Sequence, residues 1–432
     1  MPGINEIIVA KKWNAPTASK LASQQQFIDY PRIPTNIFPV DYVLAGGIPC
    51  NVISQIYGPQ HGGKSTFCYL AAKALSSTCM RCLKPFSICE CPEPNYIEVC
   101  PKCGKPAGTC KCKYNLAVER CGDCGRERIA CSCRSRLKQK TFLAHFEGLP
   151  PDGLYFSNLG YYDADNIFVA SPDYGEQGCN MIETAAKSDD VGLIIVDSLA
   201  NIVPGEELEC DYEDAKVALQ ARLIARLFRR LTNVLVTEFR RGHMVSVLFI
   251  NQMRSIIGGG KFAPSETTPG GHASKHGYRL SMRHNQLSGD SKSGEVTTDG
   301  EKYVLRFSVS LLGAQSKQQL LVLHPKCEYK IVIDSSYRDV PVGTCIDSTT
   351  VVTVAKKLGI LEKLVDKYVL KGTDMDFERL SDIDDMFIRD PAYADAFRYH
   401  VVQVARKRKI DRILADKDAR LAVCKSSNGK EA

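Results

Sequence analysis

Apolar residues in this chain fall in short strand-length runs, broken by glycine-rich or polar turns and joined by stretches of helical periodicity. "NVISQIYGPQHGGKSTFCYLAAKAL", residues 51–75, passes from an apolar strand through a glycine-rich loop into an amphipathic helix. "VGLIIVDSLANIVP" (191–204) opens with a run that suits a strand buried on both faces, and "MVSVLFINQMR" (244–254) reads the same way. The first run ends in Asp197 and Ser198, the second in Asn251 and Gln252. Strands of this kind separated by helices predict an α/β fold with a mostly parallel, twisted sheet, whose ligands lie at the carboxyl ends of its strands. "VALQARLIARLFRRL" (217–231) predicts a helix with Arg222, Arg226 and Arg229 at i, i+4 and i+7 on one face. Residues 336–432 read as a helix-rich C-terminal region. No apolar run approaches the roughly 18 residues of a membrane span. "MPGINEIIVAKKWN" lacks the order of charged, apolar and small residues found in a secretory signal. The expectation is a cytoplasmic protein without a membrane partner.

Cysteine changes this picture most. Twelve of the 19 cysteines lie in three units of identical spacing, Cys-x2-Cys-x6-Cys-x-Cys, each starting 21 residues after the last. They are Cys79, Cys82, Cys89 and Cys91; Cys100, Cys103, Cys110 and Cys112; and Cys121, Cys124, Cys131 and Cys133. Four thiolates without histidine suit closed, structural, tetrahedral zinc sites, which predicts three Zn²⁺ per chain. Disulfides and iron–sulfur clusters are the alternatives, and a reducing compartment argues against the first. The array fills the connection between the helix after the glycine-rich loop and the strand "KTFLAHFE", so residues 79–137 form an insertion. Such connections sit at the amino ends of parallel strands, which predicts an outward arm binding DNA or another protein.

The net charge of +7 is weaker evidence than it looks. Residues 79–140 carry 13 basic and 6 acidic side chains, which is the whole excess. Each four-thiolate zinc site would carry two negative charges, so the array largely balances itself. A second basic segment, 404–430, has 9 basic and 3 acidic residues, as a duplex-capturing tail or a solvated helix would.

The loop Gly58-Pro59-Gln60-His61-Gly62-Gly63-Lys64-Ser65, followed by Thr66, satisfies the phosphate-loop pattern G-x4-G-K-[ST]. Its backbone N–H groups and the helix start suit a nucleoside triphosphate, with Lys64 on the β- and γ-phosphates. Ser65 and Asp197 are the expected Mg²⁺ pair.

With these motifs in order, the chain resembles the RecA family of recombinases. The similarity runs through "DYVLAGGIPCNVISQIYGPQHGGKST", "SPDYGEQGCNMIETAAKSDDVGLIIVDSLANIVP" and "LFINQMRSIIGGGKFAPSETTPGGHASKHGYRL". It implies a RecA-like ATPase core over 35–335, interrupted by the zinc insertion, and an oligomerisation arm over 1–34. It implies Glu147 as the base that polarises water, Asp152 and Tyr155 as the pair bracketing adenine, and Gln252 as the γ-phosphate sensor. The segment after Gln252 matches the family's second DNA-binding loop, with Arg254, Lys261, Phe262, Gly270 and Gly271; Arg222 and Arg229 fall at DNA-contacting positions. The family's paired interface lysines have no counterpart in "RFSVSLLGAQSKQ". The function implied is a DNA-dependent ATPase forming helical filaments on single-stranded DNA and exchanging strands with homologous duplex, in a bacterial or phage-infected cell, with repair or loader proteins on the zinc arm. The alternatives are a ring-forming motor or helicase, and a nucleotide-binding scaffold that recruits repair proteins.

Overall fold

The computed structural model describes residues 30–80, 82–91, 96–100, 105, 118–121, 139–148, 151–159, 166–211, 218–255, 266–270, 276–287, 303–311, 320–334 and 340–428. The expected N-terminal arm lies almost wholly outside them. Strand β1 (Ile53–Gly58) is buried at every position, as expected of a parallel strand covered on both faces. The glycine-rich loop follows it and leads into α2 (Lys64–Ser76), which comes after the short helix α1 (Phe38–Val43). In the insertion, β2 (Tyr96–Val99) and β3 (Val118–Cys121) pair antiparallel.

The chain then returns through β4 (Lys140–His145), α3 (Gly153–Asn158), β5 (Ile167–Ala170), α4 (Gly175–Ala186) and β6 (Val191–Asp197). Next come the four-residue α5 (Gly205–Leu208), the long α6 (Leu219–Arg240), β7 (Ser246–Gln252), and the two-residue strands β8 (Arg254–Ser255) and β9 (Glu266–Thr267). Strands β10 (Leu280–Gln286), β11 (Val304–Leu311) and β12 (Lys326–Val332) complete the core.

Eight strands form one sheet in the order β12-β11-β10-β1-β7-β6-β4-β5. The six from β10 to β5 run parallel, and β11 and β12 close one edge antiparallel. Burial follows this division. Every residue of β6 is buried, whereas β11 alternates between buried and half-exposed positions. The α/β class and the mostly parallel sheet are therefore as the sequence predicts.

Helix α2 departs from the amphipathic expectation, since Phe67, Leu70, Ala71, Ala74 and Leu75 are all buried around its circumference. The sheet covers one side. The other meets α3 and the segment at Gly343, where Lys73 Nζ donates to the Leu159 carbonyl at 2.8 Å and Leu70 lies against Gly343.

The C-terminal region is helical with one addition that the sequence did not announce. Between α7 (Ser348–Lys357) and α8 (Asp382–Arg389) lies a three-stranded antiparallel sheet, β13 (Leu361–Lys363), β14 (Tyr368–Leu370) and β15 (Asp376–Phe377). The region ends in α9 (Pro391–Asn428), with proline at its first position. Its own core gathers Val351, Ala355, Phe377, Phe387, Phe397 and Val401, and Phe38 of α1 packs into it. Buried Asp347 accepts two hydrogen bonds from Arg398 of α9, at 2.7 and 3.2 Å. Among the described residues no helix is long and apolar enough to cross a membrane.

Candidate nucleotide and metal sites

The register of the parallel strands brings the expected nucleotide residues to one edge. Gly58 at the end of β1 stands opposite Gln252 at the end of β7, and His145 at the end of β4 stands opposite Asp197 at the end of β6. A cleft of about 590 Å³ opens there, lined by the loop from Gln60 to Thr66, Glu147, Asp197 and Gln252. Two loop glycines are sterically required. A Cβ on Gly58 would sit 2.0 Å from the His284 carbonyl oxygen, and one on Gly63, whose φ is +75°, would sit 2.3 Å from the Phe307 ring.

Lys64 is buried and its Nζ donates to the Pro59 carbonyl at 2.7 Å, so the loop holds its own cation folded over the space where phosphates would bind. Burial lowers the Lys64 pKa, against the opposing pull of Asp197 and Glu147. Ser65 Oγ donates to Asp197 Oδ2 at 3.0 Å, and the Tyr69 hydroxyl reaches the same oxygen at 3.4 Å. Burial, with Glu147 nearby, pushes the Asp197 carboxyl up to about 6. A buried carboxylate facing a hydroxyl at the mouth of a phosphate loop is a donor set that fits Mg²⁺, which would relieve the desolvation that raises this pKa.

Glu147 is exposed just beyond β4, and Gln252 Nε2 reaches its Oε1 at 3.4 Å. The expected base and the expected γ-phosphate sensor thus face each other across the cleft. On α3, Tyr155 meets the first turn of α2 through a 2.5 Å hydrogen bond to Thr66 and an edge contact with Tyr69. Asp152 lies exposed at the start of that helix.

Sequence reasoning missed one group here. His284 of β10 is fully buried; its Nδ1 donates to the Gly62 carbonyl at 2.6 Å, and its Nε2 accepts from the Tyr329 hydroxyl. A carbonyl can only accept, so this pairing fixes the tautomer, and burial holds the ring neutral by lowering its pKa to about 4. The rings of Phe67, Phe307 and Tyr329 enclose it. The phosphate loop is thereby braced against a strand more than 200 residues away, and no local pattern signals it.

Asn251 ties the second expected DNA loop to the same edge. Its Nδ2 donates to the Pro269 carbonyl at 3.1 Å, while β8 and β9 pair to form the stem of the loop. Exposed Arg254 starts that stem, and Gly270 at its far end has φ +106°. Lys261, Phe262 and Gly271 lie outside the described residues. On α6, Arg222, Arg226 and Arg229 are exposed along one face, whereas Arg230 is engaged by Glu183 of α4 at 2.7 and 3.1 Å.

The first cysteine unit forms a second candidate site, beyond the carboxyl end of α2. The sulfurs of Cys79, Cys82, Cys89 and Cys91 lie within 4.8 Å of one another. Cys82 and Cys89 are 3.6 Å apart, and the Cys91 N–H points at the Cys89 sulfur at 3.4 Å. A disulfide needs about 2.05 Å. Sulfurs placed 2.3 Å from a tetrahedral zinc are about 3.8 Å apart, so this set fits a four-thiolate zinc site. In the second unit Cys100 N–H donates to the Lys105 carbonyl at 2.8 Å, repeating the 2.9 Å bond from Cys79 to Lys84 in the first. Cys103, Cys110, Cys112, Cys124, Cys131 and Cys133 lie outside the described residues, as does the side chain of Cys121.

Residues 128–306 match the sequence model of the RecA N-terminal domain. The protein RecA of Campylobacter hominis is 43% identical over 134 residues, 31% of this chain and 37% of that protein. RecA of Sulfurovum is 44% identical over 124 residues (29% and 34%), and RecA of Mycoplasmopsis pulmonis 40% over 148 residues (32% and 42%). The chain thus spans little more than a third of the length of these relatives. The phosphate loop lies before the matched residues, yet β1 pairs with β7 and β10, both inside the match. Residues 128–306 of this chain are thus similar to the RecA N-terminal domain, and the α/β fold of the core is RecA-like.

Proposed function

Starting from that core, we propose that the chain is a DNA-dependent ATPase that assembles as a helical filament on single-stranded DNA and pairs it with homologous duplex. One observation carries the reading: a single cleft holds the phosphate loop, the Ser65–Asp197 pair and the facing Glu147 and Gln252, and Gln252 lies two residues before the stem of the Arg254 loop. ATP hydrolysis and the hold on DNA are thereby coupled through one strand end. In this reading Lys64 and the loop N–H groups hold the phosphates, Tyr155 and Asp152 flank the adenine, and Glu147 takes the proton of the attacking water. Gln252 passes the state of the γ-phosphate to the DNA loop. Bound Mg²⁺, held by Ser65 and Asp197, supplies charge neutralisation on the phosphates. Arg222, Arg229, Arg254, Lys261 and Phe262 meet DNA, and each four-cysteine unit holds one zinc. The protein works in the cytoplasm of a bacterial or phage-infected cell.

The test is negative-stain microscopy with single-stranded DNA and a non-hydrolysable ATP analogue, alongside ATPase assays over a salt series. Helical filaments and a steep loss of DNA affinity with salt are expected, because phosphate contacts release counterions. Rings would indicate a motor, and neither form, with salt-independent binding, would indicate a scaffold.

A further inference from the structure

The three cysteine units share their spacing but not their apolar residues. Between its first and last cysteines the first unit carries Met80, Leu83, Phe86 and Ile88; the second, "CPKCGKPAGTCKC", has proline, glycine, alanine and threonine at those four positions. Met80 is buried, and Leu83 packs against the main core. Leu83 also adopts φ +58°, a left-handed conformation, at the position where the second and third units have Gly104 and Gly125. A side chain that accepts this backbone indicates that its packing matters more there than local ease.

The first unit also touches α9. Ser87 Oγ donates to Asp395 Oδ2 at 2.7 Å, and Lys84 Nζ lies 5.7 Å from the centre of the Tyr399 ring. Asp395 pairs with Arg398 at 3.6 Å, and Arg398 pairs with Asp347 at the start of α7. Both Lys84 and Ser87 sit in the loop between the two cysteine pairs, so their positions depend on whatever closes that loop.

We infer that the first four-cysteine unit is a structural zinc site that pins α9 onto the core, a role the second and third units do not share. This rests on the zinc reading above. Zinc closes the loop of residues 83–88; the closed loop presents Lys84 and Ser87 to α9, while Met80 and Leu83 fix its other side to the core. Loss of this metal loosens α9, which the C-terminal core still holds, without touching the nucleotide cleft at the opposite end of α2.

Full-length protein with Cys89→Ser and Cys91→Ser tests this by zinc content and hydrogen exchange. The variant should lose one zinc per chain, and residues 391–411 should exchange about tenfold faster, with β6 and β7 unchanged. Ser87→Ala with Lys84→Ala should keep the zinc and still speed exchange in 391–411. Cys110→Ser with Cys112→Ser should lose a zinc and leave 391–411 protected. If zinc falls by one in the first variant and 391–411 stays protected, the pin is wrong although the metal site stands. If zinc does not fall, the metal reading fails and the pin with it. Equal loosening by the second-unit variant would overturn the assignment to the first unit.

Discussion

Helix α2 carries a different kind of site at each end, about 20 Å apart for its 13 residues. At its amino end the candidate groups are backbone N–H donors and one lysine, and their placement depends on parallel strands that are distant in sequence. At its carboxyl end four sulfurs spaced within thirteen residues make a site from local chain alone. The first site is inseparable from the core, whereas the second carries its own fold and borrows only an anchor. Changes at the amino end should therefore abolish chemistry, and changes at the carboxyl end should redistribute flexibility.

The largest effect is expected from Lys64→Ala. It removes the one side-chain cation that the loop folds over the phosphate space, so nucleotide binding and filament formation should both be lost. Titration with a fluorescent ATP analogue checks this; full ATPase in the variant would break the assignment of the amino end. Glu147→Gln should follow. It keeps ATP and DNA bound but slows hydrolysis by about 10²–10⁴, since only proton removal from water is lost. Single-turnover assays separate that outcome from weakened binding.

These two residues also mark how far the sequence could be read. The glycine–lysine–serine spacing, the strand ending in Asp197 and the strand ending in Asn251-Gln252 are local patterns, and the sheet brings them together as expected. Register supplies what pattern could not: that Gln252 faces Glu147, and that Asn251 holds Pro269. The small sheet at 361–377 went unread because its strands are only two or three residues long and carry no alternation. His284 was illegible for a different reason. A lone histidine on a strand says nothing of a loop carbonyl 222 residues earlier.

His284→Leu sharpens the comparison by testing whether the amino end really depends on distant strands. It nearly conserves volume but strands the Gly62 carbonyl and the Tyr329 hydroxyl without partners, costing about 2 kcal/mol. Thermal unfolding should register this loss, and nucleotide affinity should fall with it while zinc content stays unchanged. A variant as stable and as tight-binding as the parent would show that the brace is incidental.

A smaller effect is expected from pH. Asp197 has a folded-state pKa raised to about 6, above its unfolded value of 3.8, so in the absence of ligand its contribution to stability falls as pH rises from about 4 to about 6 and is level above that. The binding of Mg²⁺ runs the other way, because the metal needs the carboxylate. Mg²⁺-dependent nucleotide affinity should drop by up to about tenfold per pH unit below about 6. Asp197→Asn should bind weakly at every pH and lose this dependence. Zinc content should be unaffected by Asp197→Asn, since the first cysteine unit lies beyond the opposite end of α2.

The smallest effect on the ATPase core should come from the largest excision. Replacing residues 95–137, which hold the second and third units, with a Gly-Ser linker of about 15 residues leaves a root-mean-square reach of roughly 20 Å. Loop-closure entropy changes by only about 0.6 kcal/mol per doubling of length, so the core's stability should shift by about 1 kcal/mol. Cys79, Cys82, Cys89 and Cys91 remain, and so does their hold on α9. Zinc should fall from three atoms to one per chain, with ATP hydrolysis on single strands retained. Losses should be confined to what the outer units bind, read as capture of duplex DNA or of a partner protein. An excised chain that folds but cannot hydrolyse ATP would mean that the insertion reaches an active site, its own or a neighbour's. The two ends of α2 would then belong to one machine, and the separation drawn between them would fail.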